Sequence, residues 1–201
     1  MTGRSNKHVL YVIACGGDAA GDLAPLVRHC QESGWEVCVV ATPSALRFMD
    51  TAELTALTGY PVRSDYKRPE EPDLLPPADA MIVVPATFNT INKLAYGISD
   101  TLALGLLNEA IGLGLPIVVV PTANTALARH PAFVEAVARL RAWGITVLLD
   151  PERYPLPAPR QGPSVAAPLP WTAVRAAISE LVRRPGQRHR EVVPDAEGRS
   201  G

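Results

Sequence analysis

Apolar residues gather in five short runs, at positions 8–14, 36–41, 80–84, 116–120 and 145–149, rich in β-branched side chains. Their nearly continuous apolar character predicts strands buried on both faces, the habit of parallel sheets covered by helices. The intervening stretches predict helices over 22–33, 44–57, 89–112 and 131–143. This alternation implies right-handed crossovers and an α/β fold with a doubly wound parallel sheet. Gly34 and Gly144 follow the last apolar positions of two predicted helices, where a left-handed residue is wanted, and each leads straight into a strand.

Two segments break the pattern. Residues 60–77 carry Pro61, Pro69, Pro72, Pro76 and Pro77 among mixed charges, which predicts a surface excursion with little regular structure. Excursions of this size often cover a site. After Asp150 the chain is again dense in proline up to Pro170, followed by a helical pattern over 171–182 and a polar tail from Arg184. The expected organisation is therefore an α/β domain over 1–150, a proline-rich flap and closing helix of the same domain over 151–183, and a disordered tail over 184–201.

Length and charge narrow the function. A chain of 201 residues with 47% hydrophobic content supports one sizeable core. The formal net charge of -1 gives no basic excess for a phosphate backbone, so nucleic acid is not an expected partner. Cys15, Cys30 and Cys38 lack the paired close spacing of a zinc site, and no metal is expected; a reducing cytoplasm fits three such cysteines. Arg4 and Lys7 before the run Val9 to Ala14 and Cys15 imitate a short secretory signal, but the run is too short, and a glycine loop and amphipathic helix follow. No stretch approaches the roughly 18 apolar residues that span a bilayer. A soluble, cytoplasmic protein is the expectation.

In an open parallel sheet, ligands bind beyond the carboxyl ends of the strands. The first strand ends in CGGDAAGD, where Gly16 and Gly17 allow close backbone approach and the following helix offers free N–H groups to an anion. The second ends in Ala41-Thr42-Pro43-Ser44, whose hydroxyls serve either a ligand or a helix cap. The strand at 80–84 runs into Pro85-Ala86-Thr87-Phe88-Asn89-Thr90, and that at 116–120 into Pro121-Thr122-Ala123-Asn124-Thr125.

On these residues the chain resembles the homo-oligomeric flavin-containing cysteine decarboxylases. PATFNTINKLAYGISDTLA is similar to their flavin-binding PASANT motif and its helix, and PTANTALARHP stands in the place of their PxMNxxMW motif. The run from Gly16 through ATPSALRFMDTAELTALTGYPV is similar to their first phosphate loop and second strand and helix. The resemblance covers roughly residues 8–150 in the same motif order. It implies a flavodoxin-like three-layer sandwich, assembly as trimers or dodecamers, and FMN bound between neighbouring subunits; FAD presents the same ring and first phosphate. The implied cofactor contacts are Gly16, Gly17, Asp18, Thr42, Ser44, Thr87, Asn89, Thr90 and Thr122. Asp18 and Asp22 depart from a phosphate loop, because a carboxylate beside a dianion is repulsive unless it points away or meets a donor.

The family oxidises a substrate cysteine with flavin, and the resulting thioaldehyde is the electron sink that lets carbon dioxide leave. Asn124 matches the asparagine that contacts the substrate carboxylate there; a loop asparagine bonding its own backbone is the competing reading. The family histidine, eight residues before the aspartate matched by Asp79, falls on Glu71. Glu71 serves as base if burial raises its pKa, and otherwise is an exposed loop glutamate. His130 is a second candidate, with a helix start before Pro131 as its competing role. The motif's methionines and tryptophan correspond to Ala123, Leu127 and Ala128. No cysteine follows Cys38 to return electrons from the flap, so the oxidative branch, acting on a peptidyl or small-molecule cysteine thiol, is the nearest enzyme. The alternatives are a flavin-binding protein that has lost the activity, and an oxidoreductase with another substrate.

Overall fold

The computed structural model describes residues 7–160 and 169–183. The expected tail over 184–201, the middle of the proline-rich flap and Arg4 lie outside the described residues. Five strands, β1 (Val9–Ala14), β2 (Glu36–Ala41), β3 (Ala80–Thr87), β4 (Ile117–Thr122) and β5 (Thr146–Val147), form one parallel sheet in the order β2-β1-β3-β4-β5. This is the flavodoxin-like order, with its reversal between β1 and β3.

The pleat sorts the strand residues onto two faces. Val9, Tyr11, Ile13 and Cys15 pack with residues of α3 (Phe88–Ala95), α4 (Leu102–Gly112) and α6 (Pro131–Ala142). Leu10, Val12 and Ala14 pack with α1 (Ala24–Glu32), α2 (Thr51–Thr58) and α7 (Trp171–Arg183). Three layers result, and both sheet faces are covered, which is why the strands read as continuous apolar runs. On α6 the buried residues Phe133, Ala136, Val137 and Leu140 fall at helical spacing. Burying Phe133 and Leu140 contributes about 1.5–3 kcal/mol each. Leu169, Val174, Ile178 and Leu181 join the second face, so the segment after the flap is part of the core.

Three expected elements are cut differently, each for a local reason. The helix expected over 44–57 is a 3-10 turn (Ala45–Arg47) followed by α2, because Asp50 is the true cap: its carboxylate accepts the N–H groups of Ala52 at 3.0 Å and Glu53 at 2.9 Å. The helix expected over 89–112 breaks at left-handed Gly97, where Gly97 N–H donates to Leu94 and Ile98 N–H to Lys93, and Thr101 caps a new helix. The last strand shrinks to two paired residues. A short α5 (Thr125–Ala128) was not expected. At the front, α1 starts only after a 3-10 turn over Asp18–Asp22.

The excursion over 60–77 is irregular as expected, apart from a parallel bridge between Arg63 and Val40 on the free edge of β2. Tyr66 ties it to α4: its hydroxyl donates to the Thr101 carbonyl at 3.3 Å and rests on Gly105.

Candidate functional site at the carboxyl edge of the sheet

Because β1 and β3 are neighbours whose following chains depart to opposite faces, their carboxyl ends leave a crevice. A cavity of about 490 Å³ occupies this edge, within the usual range for small-molecule sites. Gly16, Gly17, Asp18, Thr87, Thr122 and Asn124 all line it, although they come from three separate loops.

The first loop is held tightly against the second. A Cβ on Gly16 would lie 2.8 Å from Cβ of Ser44 and 3.1 Å from its carbonyl carbon, so only glycine permits this approach. Gly17 is followed by the 3-10 turn, which no side chain caps, leaving N–H groups available to an anion. A Cβ on Gly17 would meet nothing within 4 Å. Thr42 is buried, with its N–H bonded to Ala14 at 2.8 Å. Ser44 is exposed and makes no cap bond, so the capping role open to it in the sequence belongs to Asp50. Neither Thr42 nor Ser44 lines the cavity; both stand in the loop behind Gly16.

At the end of β3, Thr87 caps α3: its Oγ1 accepts the Thr90 N–H at 3.4 Å and lies 3.1 Å from the Thr90 hydroxyl. Thr90 is buried under this contact and Asn89 is exposed beside it; neither lines the cavity. Burial pushes the Cys15 thiol up, with hydrogen bonds to Thr90 and Thr87 opposing it in part. Cys15 is therefore a protonated packing residue under the Thr87–Thr90 pair. The Thr122 hydroxyl donates to the Ala86 carbonyl at 3.4 Å, joining the ends of β3 and β4.

Asn124 makes the backbone contact open to it in the sequence and also faces the cavity. Its Oδ1 accepts the N–H groups of Ala126 at 3.1 Å and Leu127 at 2.9 Å, capping α5, while the residue lines the cavity. The cap fixes the amide so that Nδ2 is the group left for a ligand, and Nδ2 can only donate.

Glu71 is placed elsewhere. It is exposed, its carboxylate accepts the Arg68 N–H at 3.0 Å and its carbonyl accepts from Lys67 Nζ at 2.9 Å, so it closes a turn of the excursion and does not line the cavity of its own chain. His130 caps α6, with Nδ1 accepting the Ala132 N–H at 3.2 Å, and its ring meets the edge of Phe88. The wall opposite the glycine loop was not assigned from sequence. It is made by Leu149, Asp150, Arg153, Tyr154 and Leu156 after β5, and is tied to α5 by the Thr125 N–H donating to the Pro157 carbonyl at 2.9 Å. An Arg-Tyr pair inside a proline-rich apolar stretch was the available signal. No cluster of potential metal ligands occurs among the described residues, and no helix there is long and apolar enough to cross a membrane.

The same arrangement of loops and strands recurs among known proteins. The chain is similar to the coenzyme A biosynthesis bifunctional protein CoaBC of Mycobacterium tuberculosis, with 34% identity over 200 residues, covering 98% of this chain and 45% of that protein. It therefore spans less than half the length of this bifunctional relative. Similarity to the phosphopantothenoylcysteine decarboxylase of Mus musculus is 36% over 146 residues, covering 69% of this chain and 71% of that one. Among solved structures, the FMN-dependent cysteine decarboxylase SpaF shares the fold with a TM-score of 0.67 at 23% identity, over 88% of this chain and 98% of that chain. The epidermin biosynthesis protein EpiD from Staphylococcus aureus does so with a TM-score of 0.64 at 22% identity, over 84% and 99%. The sequence profile of the Flavoprotein family matches residues 2–183, and with the glycine loop, the Thr87–Thr90 pair and the Asn124 cap at one carboxyl edge, this chain belongs to that family.

Proposed function

We propose that the chain binds FMN at this edge and catalyses the oxidative decarboxylation of a cysteine carried by a peptide or small molecule. The observation that carries the reading is the convergence of Gly16, Gly17, Asp18, Thr87, Thr122 and Asn124 on one cavity. The donor set fits a flavin: an uncapped turn for the phosphate, and hydroxyls and the half-buried Asn124 amide at the ends of β3 and β4 for polar ring and ribityl groups. The nine implied contacts divide into the cavity wall itself and the Thr42, Ser44, Asn89 and Thr90 positions that support it.

When bound, the flavin supplies a two-electron oxidant that converts the substrate thiol to a thioaldehyde, into which the electron pair of the breaking carbon–carboxylate bond can flow. The chain holds that carboxylate. Asn124 Nδ2 donates to it, with the plane of the side-chain amide fixed by the α5 cap. The product is carbon dioxide and an enethiol, and the electrons pass to an external acceptor such as dioxygen, because no thiol follows Cys38 to take up the return step. In a trimer of the kind the resemblance implies, Glu71 projects from an exposed loop and is available to a neighbour's cavity as base. Assembly and base are read together.

The second reading is a flavoprotein that retains the scaffold without the reaction. The observation favouring it is that the Glu71 carboxylate already serves the Arg68 N–H and stands outside its own chain's cavity. Anaerobic mixing of the FMN-loaded protein with peptides ending in cysteine separates the two. An enzyme bleaches the flavin and releases one carbon dioxide per flavin reduced, with the matching share of decarboxylated peptide seen by mass spectrometry; intact peptides and an unchanged flavin spectrum would leave only the binding function.

A further inference from the structure

The proposed reaction breaks a carbon–carbon bond and leaves negative charge on sulfur, so the cavity calls for a hydrogen-bond donor where that sulfur sits. Most polar side chains of the wall are already engaged. The Thr87 hydroxyl is paired with that of Thr90 at 3.1 Å, and the Thr122 hydroxyl donates to the Ala86 carbonyl at 3.4 Å. The Asp150 carboxylate accepts the Arg153 N–H at 3.1 Å, and Asp18, on the glycine loop, offers a carboxylate, which only accepts. Tyr154 stands apart. It is half-buried and lines the cavity, and its hydroxyl makes no hydrogen bond among the described residues. The other tyrosines are occupied: Tyr11 donates to the Pro76 carbonyl at 2.8 Å, Tyr60 to Glu36 and Tyr66 to the Thr101 carbonyl, while Tyr96 lies under the Arg139 guanidinium.

Local structure turns this side chain inward. The Tyr154 N–H donates to the Asp150 carbonyl at 2.8 Å, closing a turn in which Arg153 is exposed and Tyr154 half-buried. The segment is anchored on both sides. Arg141 donates to the carbonyls of Val147 and Leu149, both at 3.1 Å, and the Thr125 N–H donates to the Pro157 carbonyl at 2.9 Å. The second anchor falls on the residue next to Asn124. β4 and β5 are neighbours about 4.8 Å apart, so the segments bearing Asn124 and Tyr154 leave the sheet side by side; the glycine loop leaves from β1, roughly 14 Å from β5. In cysteine only two carbons separate the carboxylate from the sulfur. With the carboxylate on Asn124, the sulfur therefore falls within the same corner. Leu149, Pro155 and Leu156 make that corner apolar, which strengthens a hydrogen bond to developing charge.

We propose that Tyr154 is a catalytic residue whose hydroxyl donates a hydrogen bond to the substrate sulfur as carbon dioxide leaves. This rests on the decarboxylation proposed above and supplies a residue for its second step. There the carbon–carboxylate bond of the thioaldehyde breaks, its electron pair forms the new carbon–carbon double bond, and the π pair of the carbon–sulfur bond moves onto sulfur. Negative charge thus passes from the carboxylate to the sulfur. The phenol meets it there and keeps its own proton; the enethiolate takes one from water on release. No oxidant or reductant enters this step.

Tyr154→Phe removes the hydroxyl and keeps the ring. With the FMN-loaded full chain, a capped dileucyl-cysteine peptide and no oxygen, flavin bleaching in this variant is expected to stay within about twofold of wild type, while carbon dioxide release slows roughly tenfold or more. The oxidised peptide that still carries its carboxylate accumulates, and is trapped with an alkoxyamine for mass spectrometry. A structural role would slow both steps together. Release as fast as in wild type, or bleaching and release lost in parallel, would overturn the proposal, as would the same selective loss in Arg153→Leu, which would assign the sulfur to the guanidinium. Thiophenolate, a stable aryl enethiolate, gives a readout without turnover. Titrated into the FMN-loaded chain, it is expected to bind roughly threefold or more weakly to Tyr154→Phe, with neutral thioanisole bound alike by both proteins. Equal thiophenolate affinities, or no thiophenolate binding at all, would also overturn it. The two readings fail separately: undiminished carbon dioxide release in Tyr154→Phe sinks this proposal alone, whereas Tyr154-dependent thiophenolate binding without any release by the wild type sinks only the reaction.

Discussion

In the proposed reaction, Asn124 divides its labour between fold and chemistry. Its Oδ1 holds two N–H groups of α5, and its Nδ2 is the donor left over. Substitution can separate the two. Asn124→Asp keeps an acceptor for the cap but removes the donor and adds a negative charge facing a carboxylate, so thermal stability is expected to stay close to wild type while carbon dioxide release falls at least a hundredfold. Asn124→Ala loses both, with about 1 kcal/mol of stability gone as well. Equal activity in the two variants and the wild type, measured beside their melting temperatures, would remove Asn124 from the reaction. At this scale the sequence was informative about residue type and poor about commitment. Asn124, Thr87 and the glycines could be singled out because their loops follow buried strands. That Glu71 closes its own turn, and that Arg153 faces the cavity, depends on where two proline-rich segments fold back, which no local pattern encodes.

Among the elements, the strands were legible because burial on both faces leaves an unbroken apolar run. The helices were legible in position but not in continuity: the apolar spacing runs on through Gly97 and through Asp50, and it is a backbone hydrogen bond at Gly97 and the carboxylate cap of Asp50 that end one element and start another. The excursion over 60–77 is held instead by contacts distant in sequence, among them the pairing of Arg63 with β2 and the Tyr66 hydroxyl on Gly105 of α4. A methyl group there meets the end of a movable side chain, so Gly105→Ala is expected to leave α4 folded, even to favour its helical form by up to about 1 kcal/mol, while releasing the excursion. Limited proteolysis reads this as faster cleavage near Arg63–Arg68 at unchanged melting temperature. Cleavage no faster than wild type would mean that Tyr66 does not hold the loop.

For the whole molecule, the buried thiols and tyrosines set an alkaline limit. Burial raises Cys30 and, with a smaller contribution from the Glu36 charge, Cys38, each from 9.0 to about 12. Tyr60 rises from 10.0 to about 12, first through its hydrogen bond to Glu36 and then through burial. These are acids whose neutral form is favoured in the folded state. Their contribution is complete below the unfolded values and is lost as pH climbs through the folded ones. Melting temperature is expected to fall steadily from about pH 9 toward pH 12, and native protein at pH 8 should resist thiol reagents until unfolded; a flat profile across that window would contradict the burial of these groups.

The central claim is that the glycine loop and the strand ends beside it form a flavin site, and the visible spectrum of the purified protein on titration with FMN tests it most directly. The account predicts saturable perturbation of the flavin bands by the wild type. It predicts binding weakened at least tenfold in Gly16→Ala, whose added Cβ would stand 2.8 Å from Ser44 and drive the first two loops apart. A protein that leaves the FMN spectrum unchanged, or a Gly16→Ala variant that binds as tightly as wild type, would contradict it.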